Sequence, residues 1–228
     1  MAILNKLVKL EWRKLKQKSI LGEVAIYWFI LMLLPVFFIK MVSADFGQNF
    51  DSLFELIQSI QRGLVLFGAS MISQVFIEEY KNKTITLSFG YPISRRKLFA
   101  AKVLFIALFI FMTTIASFLL TGVATYLLNQ MFPIIYFSIT GSNIVSYFSG
   151  MIVGSFIVTL ISFIPLFFFA IWKRATVSTV ICAIIAMNLP NLSSIFHFNN
   201  ELIIVILCSI GALSLFLSIK TADRIGEI

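Results

Sequence analysis

Apolar residues dominate the chain in six separate runs, each close to the roughly 20 residues that an α-helix needs to cross a bilayer. Within each run the apolar side chains do not alternate with polar ones, which excludes the strands of a membrane barrel. Because lipid offers no hydrogen-bond partners to backbone groups, such runs form helices. The pattern therefore predicts an all-α membrane protein with six transmembrane helices, at residues 20–39, 56–77 (with 53 as an alternative start), 104–128, 144–172, 175–195 and 202–219.

Three of the runs contain features that affect how they cross the membrane. Pro35 lies near the end of the first run. The fourth run is long enough either to tilt or to project beyond the bilayer. Asn188, Pro190 and Asn191 interrupt the fifth run, which leaves a bend and a re-entrant turn as alternatives there. Residues 131–139 are also apolar and fit the membrane interface.

The N-terminal segment has a different pattern, because its apolar and basic positions follow helical periodicity. At about 100° per residue one broad face is apolar and the opposite face is basic, which predicts an amphipathic helix over residues 3–18 on the membrane surface. The apolar positions are Ile3, Leu4, Leu7, Val8, Leu10, Trp12 and Leu15, and the basic ones are Lys6, Lys9, Arg13 and Lys16. Glu11 falls within the apolar face, so we expect it to pair with Lys14, Lys18 or the start of a spanning helix.

The basic residues lie mostly on one side of the predicted membrane domain. Of the 18 Lys and Arg residues, 16 fall in the N-terminal segment, the connection after the second run, the turn after the fourth run and the C-terminal tail. Lys40 and Arg62 fall on or near the other side. Because basic loops stay in the cytoplasm, both termini are predicted to be cytoplasmic. The formal net charge of +8 is therefore a topology signal, and nucleic acid is not needed to explain it.

The composition argues against a soluble domain and against most enzyme classes. With 60% hydrophobic and 12% charged residues, a chain of 228 residues could not bury its apolar side chains in a water-soluble core. His197 is the single histidine, so we expect neither a zinc site nor a Ser-His site. No phosphate-binding G-x-x-x-x-G-K-[ST] motif occurs, and no cofactor is expected in this chain. Cys182 and Cys208 fit small apolar positions within the spans.

Two alternative functions remain open from the residues alone. Glu78 and Glu79 are similar to the paired glutamates of CAAX-type membrane proteases, which would make the chain an intramembrane enzyme. Those proteases have an arginine four residues after the second glutamate and histidines on later helices, whereas Lys83 stands at that position here. The other alternative is a structural membrane protein that transports nothing.

Polar side chains within the runs need a reason, because burying charge in a bilayer is costly. Arg62 either snorkels to the interface, pairs with Glu55 or Asp51, or lines a transport path. Glu23 is expected to pair with the basic N-terminal helix. Gln74 is a second candidate for a transport path, although helix–helix hydrogen bonding also explains it, as it does Thr113, Thr114 and Asn188.

The longest cytoplasmic connection, residues 78–102, has an ordered pattern. It begins with two acidic residues at the end of the second run and continues through a short polar and then a mixed apolar stretch. Pro92 ends any helix before it, and Ser94 is a suitable N-cap for a helix that runs into the third span. The simplest interpretation is a solvated loop that only fixes topology, and the spacing alone does not name a function.

This connection resembles the corresponding loop of the permease subunits of type-2 ABC transporters, an exporter-type family. The family pattern is an acidic residue, a short basic stretch, Gly-Thr, an apolar stretch, Pro-[Val/Ile]-Ser-Arg-Arg and a lysine that enters the next helix. Lys83 replaces the glycine here. Glu11, Trp12 and Arg13 are similar to residues of the family's N-terminal elbow helix. The matching loop positions are Glu79, Thr84, Ile85, Leu87, Pro92, Ile93, Ser94, Arg95, Arg96, Leu98 and Lys102.

The resemblance implies one transmembrane domain over residues 1–228, with an elbow helix at 1–19 and a coupling loop at 78–102. It implies three partners: a cytosolic ATPase that binds ATP and Mg²⁺, a second permease copy or a sibling permease, and a peptide-like amphipathic substrate. We therefore expect a bacterial plasma-membrane exporter that removes, or gives immunity to, antimicrobial peptides. The residues expected to couple to the ATPase are Glu78, Glu79, Tyr80, Lys81, Asn82, Lys83, Thr84, Pro92, Ser94, Arg95 and Arg96.

Overall fold

The computed structural model describes residues 2–82, 95–131, 133, 135–193 and 199–221. Every regular element in these ranges is helical. We number the α-helices α1 (Ala2–Lys14), α2 (Gln17–Met41), α3 (Phe50–Gln61), α4 (Leu64–Ile72), α5 (Glu78–Lys81), α6 (Arg95–Met131), α7 (Gly141–Ser162), α8 (Thr176–Ser193) and α9 (Asn200–Thr221). Two π-helical segments, Ser73–Ile77 and Leu166–Trp172, and a short 3₁₀ turn, Ala44–Gly47, complete the described elements.

Five helices in the described ranges are long and apolar enough to cross a membrane. They are Gln17–Met41, Phe50–Lys81, Arg95–Met131, Gly141–Ser162 and Asn200–Thr221. These helices correspond to the first, second, third, fourth and sixth predicted runs. The fifth run forms the shorter α8, which continues through Pro190 to Ser193. Its predicted end at 195 and the histidine at 197 fall outside the described residues.

Helix α1 is shorter than predicted and packs with one edge against α6. It ends at Lys14, and α2 already begins at Gln17, so Lys18 belongs to the first span. The Trp12 ring lies against Phe105 and Phe109 of α6, with ring centroids 6.3 and 5.4 Å apart. Leu10, which the periodicity places on the apolar face, is instead half exposed. The face that packs is therefore narrower than the one that the sequence pattern predicts.

The second span begins earlier than predicted and is not uniform. Asn49 has an extended backbone, and α3 starts at Phe50 because its apolar face buries Leu53 and Ile57 while its acidic residues point outward. The chain turns at Gly63, where a side chain would crowd the carbonyl oxygen of Ile60 at 3.1 Å. The π-helical segment Ser73–Ile77 then separates α4 from α5. A uniform hydropathy run thus contains two local changes of helical geometry.

Helix α6 is a continuous helix of 37 residues, longer at both ends than the predicted 104–128. At 1.5 Å per residue it is about 55 Å long, whereas the hydrocarbon core of a bilayer is about 30 Å thick. It packs against α1, α2 and α7. It is therefore long enough to project beyond the membrane core at one end or at both.

The fourth run does not form one helix over residues 144–172, as the sequence suggests. Helix α7 ends at Ser162, three residues form a turn, and the π-helical segment follows from Leu166. Pro165 explains the break because it has no backbone N–H to continue an α-helical ladder. The hydroxyl of Ser214 in α9 accepts a hydrogen bond of 3.1 Å from the backbone N–H of Phe167. A neighbouring span thus satisfies a backbone group next to the break.

Helices α7 and α9 approach each other at a glycine. A methyl group at Gly211 would overlap the backbone carbonyl of Leu160. Close backbone approach through small residues is typical of helix packing in membranes, where lipid is as apolar as the side chains it replaces. Gly211 therefore fixes the contact between the fourth and sixth predicted spans.

Candidate functional site

Four charged side chains from three helices meet at one end of the bundle, and we call them the ion cluster. Lys102 Nζ in α6 donates to Glu11 Oε2 in α1 at 2.9 Å and to Glu79 Oε1 in α5 at 2.6 Å. Lys14 Nζ donates to Glu11 Oε1 at 3.0 Å and lies 3.6 Å from Glu79 Oε1. Because the ammonium of Lys102 lies between two carboxylates, it joins α1 to α5 and α6.

The two members of the ion cluster that are buried, Lys102 and Glu11, are also paired with opposite charges. Lys102 is 1% exposed and Glu11 is 5% exposed. Burying a charge costs several kcal/mol unless it is paired and hydrogen-bonded, and the two lysines balance the two glutamates. The Phe76 ring centroid lies 5.9 Å from Lys102 Nζ and adds a cation–π contact. A buried lysine with this many partners holds one defined geometry at the point where the three helices meet.

Lys14 lies at the edge of the cluster, with its side chain 45% exposed. Burial alone would lower the pKa of its ammonium, but the Glu11 and Glu79 carboxylates outweigh that effect and raise the pKa above its ordinary value. Lys14 therefore remains charged at any physiological pH.

The ion cluster joins the two ends of the connection between the second and third spans. Glu79 lies three residues before Asn82, where the described residues stop, and Lys102 lies in the first turns of α6. Phe76 and Phe99 pack next to this ion pair, with ring centroids 4.8 Å apart. Both ends of the connection are thus held together by one ion pair and one aromatic pair.

A second cationic contact brings the turn after the fourth span to the same end of the bundle. The guanidinium of Arg174 lies 4.5 Å from the ring centroid of Tyr80 in α5. Arg174 has a φ of 53°, a left-handed backbone conformation that costs energy for a residue with a side chain. The contact with Tyr80 coincides with this strained turn, so α5 touches charged groups from both α6 and the turn before α8.

A comparison with known protein families gives a match over most of the chain. Residues 7–189 match the family described as "ABC-2 family transporter protein". This chain belongs to the ABC-2 transporter family. It is similar to the uncharacterized protein YcbO of Bacillus subtilis (strain 168), with 30% identity over 225 residues that cover 96% of this chain and 98% of that protein. No solved structure matches significantly.

Family membership, together with the long apolar helices, makes the chain a permease subunit of an ABC transporter and a multi-pass protein of the bacterial plasma membrane. The resemblance that the loop motif and the elbow residues indicated is therefore confirmed. The match begins inside α1 and ends inside α8, so it includes all four members of the ion cluster.

In this ABC-2 permease the described residues that are expected to couple to an ATPase divide into an exposed set and a half-buried set. The exposed set is Glu78, Lys81, Asn82 and Arg96, and the half-buried set is Glu79, Tyr80 and Arg95. Lys83, Thr84, Pro92 and Ser94 lie outside the described residues. The adjacent glutamates that resemble a protease pair have different surroundings, because one is exposed and the other binds Lys102.

The elbow residues of the ABC-2 permease also face different surroundings. Glu11 is buried in the ion cluster, Trp12 packs on α6, and Arg13 is exposed. Of the partners that the sequence offered for Glu11, the structure brings Lys14 and the start of a spanning helix to it.

The two candidates for a transport path form hydrogen bonds between helices. Arg62 Nη2 donates to Asn191 Oδ1 in α8 at 3.2 Å, and Ser59 Oγ donates to the same oxygen at 2.9 Å. Gln74 Nε2 donates to Glu23 Oε2 in α2 at 3.2 Å. Glu23 was expected to pair with the N-terminal helix and is instead a partner of the second span.

Sequence reasoning missed two features of the ABC-2 permease. Lys102 matched the family motif but was not predicted to hold two carboxylates, although it is the last charged residue before a long uncharged stretch. The second feature, which we call the amide cluster, joins Gln61 to Ser117 and Thr121 of α6. Ser117 Oγ donates to Gln61 Oε1 at 2.7 Å, and Gln61 Nε2 donates to Thr121 Oγ1 at 2.8 Å. A buried glutamine within an apolar run was the available signal.

Proposed function

We propose that this chain is the membrane subunit of an ATP-driven exporter and that the connection over residues 78–96 docks on a separate cytosolic ATPase, which holds ATP and Mg²⁺. The observation that supports this most directly is the ion cluster. It ties both ends of the connection to the elbow helix, so a force applied to the connection reaches α1 and α6 together. Glu78, Lys81 and Arg96 remain exposed and provide a surface of mixed charge for a protein partner.

The proposed orientation places the ion cluster and both termini in the cytoplasm, with six spans in total. The distribution of Lys and Arg supports this orientation, because 16 of the 18 basic residues fall on that side. Helix α8 would serve as the fifth span. It is the shortest of the six apolar helices, and the Arg62–Asn191 hydrogen bond ties it to the second span.

The proposed mechanism is mechanical coupling through a rigid base. Closure of two ATPase subunits would displace the connection, and the Glu79–Lys102 ion pair would carry the displacement into α6 because its atoms lie 2.6 Å apart. One chain with six spans would form half of a membrane dimer, with a second copy or a sibling permease as its partner.

The proposed substrate is an amphipathic or antimicrobial peptide, an assignment that the loop resemblance suggests. The many half-exposed phenylalanine and isoleucine side chains along the helices suit a substrate that itself partitions into membrane. The substrate can be tested in the native host by deleting the chain and measuring the growth-inhibitory concentration of cationic amphipathic peptides. We expect deletion to lower the growth-inhibitory concentration at least fourfold, and expression of the intact chain to restore it. An unchanged concentration for every peptide would argue against this substrate class.

Docking can be tested by changing exposed residues of the connection while its buried residues stay unchanged. The variant Glu78→Lys with Lys81→Glu reverses two exposed charges and leaves the ion cluster intact. In a mild-detergent pull-down from the host, we expect the intact chain to retain a stoichiometric ATPase that contains a phosphate-binding loop, and the double variant to lose at least nine-tenths of it. The control is Lys18→Glu, another exposed lysine near the same end of the bundle, which should keep the ATPase.

Two results would contradict the docking proposal. One is that no ATPase copurifies from membranes in which the permease remains folded. The other is that the double variant and the control retain the ATPase equally, which would place the docking surface elsewhere.

A further inference from the structure

A cavity of about 350 Å³ lies at the end of the bundle opposite the ion cluster. It is lined by the start of α3, the last turns of α6, residues 135–139 and the start of α7, and it is open on one side. Its volume falls at the lower end of the roughly 300–1,000 Å³ that is typical of cavities for small ligands. Representative lining residues are Leu53, Tyr126, Ile135, Ile144, Tyr147 and Phe148.

The walls of the cavity are fixed by hydrogen bonds, so the cavity is preformed. The backbone N–H of Ile135 donates to Asn129 Oδ1 at 2.8 Å, and the backbone N–H of Tyr136 donates to the carbonyl of Gly47 at 2.9 Å. These two bonds hold residues 135–139 over the end of α6. Tyr147 OH donates to the carbonyl of Phe118 at 2.7 Å, which fixes its ring in the wall.

Aromatic contacts reinforce the same walls. The Phe54 ring stacks on Phe50 with centroids 5.8 Å apart and meets Tyr147 edge-on at 5.6 Å. The edge of Phe137 meets Phe50 at 6.3 Å. Three segments that are distant in the sequence are thereby joined around the cavity.

The lining offers almost nothing to a polar ligand. None of the described residues that line the cavity is charged, and the hydroxyls of Thr125 and Tyr147 already donate to the carbonyls of Thr121 and Phe118. Tyr126 and Asn143 also line the cavity, but almost all of its exposed wall is apolar. A water molecule needs two to four polar partners to be stable in a cavity, so a wall of this kind favours an apolar molecule over ordered water. The chemistry therefore selects a ligand that is apolar along its whole buried length.

The cavity opens towards lipid. Tyr126, Ile144 and Phe148 line it and are also about half exposed, on helices that cross the membrane. With the ion cluster at the cytoplasmic side, as proposed above, the opening lies at the opposite leaflet, where the acyl chains of membrane lipids are the apolar molecules beside it.

We propose that this cavity binds one acyl chain of a membrane lipid from the leaflet opposite the ion cluster. The inference rests on the membrane location of the chain and on the cavity, and it holds whether or not the proposed peptide substrate is correct. Bound there, the acyl chain contacts the second, third and fourth spans at once. The cavity thereby forms a lipid site that is distinct from the general lipid-facing surface.

The test uses the full chain in vesicles of bacterial phosphatidylglycerol and phosphatidylethanolamine. A phosphatidylglycerol with a photoreactive diazirine in one acyl chain is the probe, and mass spectrometry locates its cross-links. We compare Val123→Trp, which places an indole in the cavity, with Val145→Trp on α7, which does not line it. Val123 is 58% exposed at the open side of the cavity and Val145 is 69% exposed outside it, so the two variants introduce the same indole at similarly accessible positions.

We expect cross-links to concentrate on the cavity residues, to saturate with probe concentration, and to fall at least fivefold in Val123→Trp but not in Val145→Trp. Should the Trp variant not fold, Val123→Phe fills the same space with a smaller ring and should lower the labelling at least twofold. Labelling that does not saturate, that is no denser in the cavity than on other lipid-facing residues, or that is equal in the two Trp variants would overturn the proposal. Selective labelling by a photoreactive amphipathic peptide with none by the lipid would assign the cavity to peptide instead.

Discussion

Two polar clusters join the second span to α6, and they use different chemistry. The ion cluster pairs Glu79 with Lys102, and the amide cluster pairs Gln61 with Ser117 and Thr121. Lys102 and Ser117 lie about 22 Å apart along α6. The first cluster uses full charges near the end of the bundle, whereas the second uses neutral groups deeper in it.

The difference follows from the surroundings of each cluster. Lys14 gives the ion cluster an exposed edge, so part of its charge lies at the surface of the bundle. Gln61 and Thr121 are completely buried, and a charge there would have no such relief. A neutral amide that forms both of its hydrogen bonds joins the same two helices without that cost.

The largest effect is expected from Lys102→Met. It leaves the buried Glu11 and the half-buried Glu79 without the ammonium between them, and breaking a buried ion pair in this way destabilises a protein by about 3–5 kcal/mol. Thermal unfolding in detergent should show a much lower Tm. Lys97→Met, at an exposed lysine in the same helix, is the control and should change the Tm little. Equal values for the two variants would mean that the ion cluster does not stabilise the fold.

The second prediction separates the adjacent glutamates. Glu79→Gln weakens a hydrogen bond between charged groups and should cost about 1.5–3 kcal/mol. Glu78→Gln changes an exposed carboxylate and should cost almost nothing. Denaturant titration of the two purified variants measures the difference. A larger loss of stability in Glu78→Gln than in Glu79→Gln would contradict the assignment of Glu79 as the partner of Lys102.

A smaller effect is expected in the amide cluster. Gln61→Leu removes the partner of the Ser117 and Thr121 hydroxyls, and membrane hydrogen bonds of this kind contribute about 0.6 kcal/mol on average and at most about 1.7. Gln58→Leu, one turn earlier and half-buried, is the matched control. The same denaturant titration measures both variants. A loss as large as that of Lys102→Met would remove the distinction between the two clusters.

The smallest effect concerns the pH dependence of the ion cluster. The pKa of Lys14 is raised in the folded protein, so its contribution is fully present below the ordinary lysine value of 10.5 and is lost as pH rises through the folded pKa. Since the side chain is nearly half exposed, we expect less than about 1 kcal/mol. Between pH 9 and 11.5 the free energy of unfolding should therefore fall less steeply with rising pH in Lys14→Met than in the intact chain. Identical slopes would show that Lys14 does not titrate with the cluster.

Much of the fold follows from the sequence because hydrophobic length is a strong signal in membranes. The positions of five long helices were predictable, and so was the amphipathic helix before them. The break at Pro165 was within reach of the sequence, since proline removes a backbone donor, but continuous apolar residues on both sides concealed it. Both π-helical segments are mostly apolar, as are the α-helices before them, so hydropathy does not distinguish the two kinds of helix.

The candidate site was only partly predictable. Glu11 was identified as a buried charge that needs a partner, because helical periodicity placed it among apolar residues. Its pairing with Lys102 depends on a contact between residues 91 positions apart, and local patterns carry no information about such a contact. For the same reason the pattern left snorkelling, local acidic partners and a transport path open for Arg62, and it gave no sign of the hydrogen bond to Asn191 of α8, 129 positions away.

Helix α6 has a mechanical consequence that follows from its continuity. One unbroken element of about 55 Å carries Lys102 near one end and a wall of the apolar cavity near the other. A tilt of about 10° around its midpoint would move the two ends in opposite directions by about 5 Å each, roughly the rise of one helical turn. A stiff lever of this kind would need no hinge, and a small rotation imposed at its charged end would change the width of the cavity at its far end.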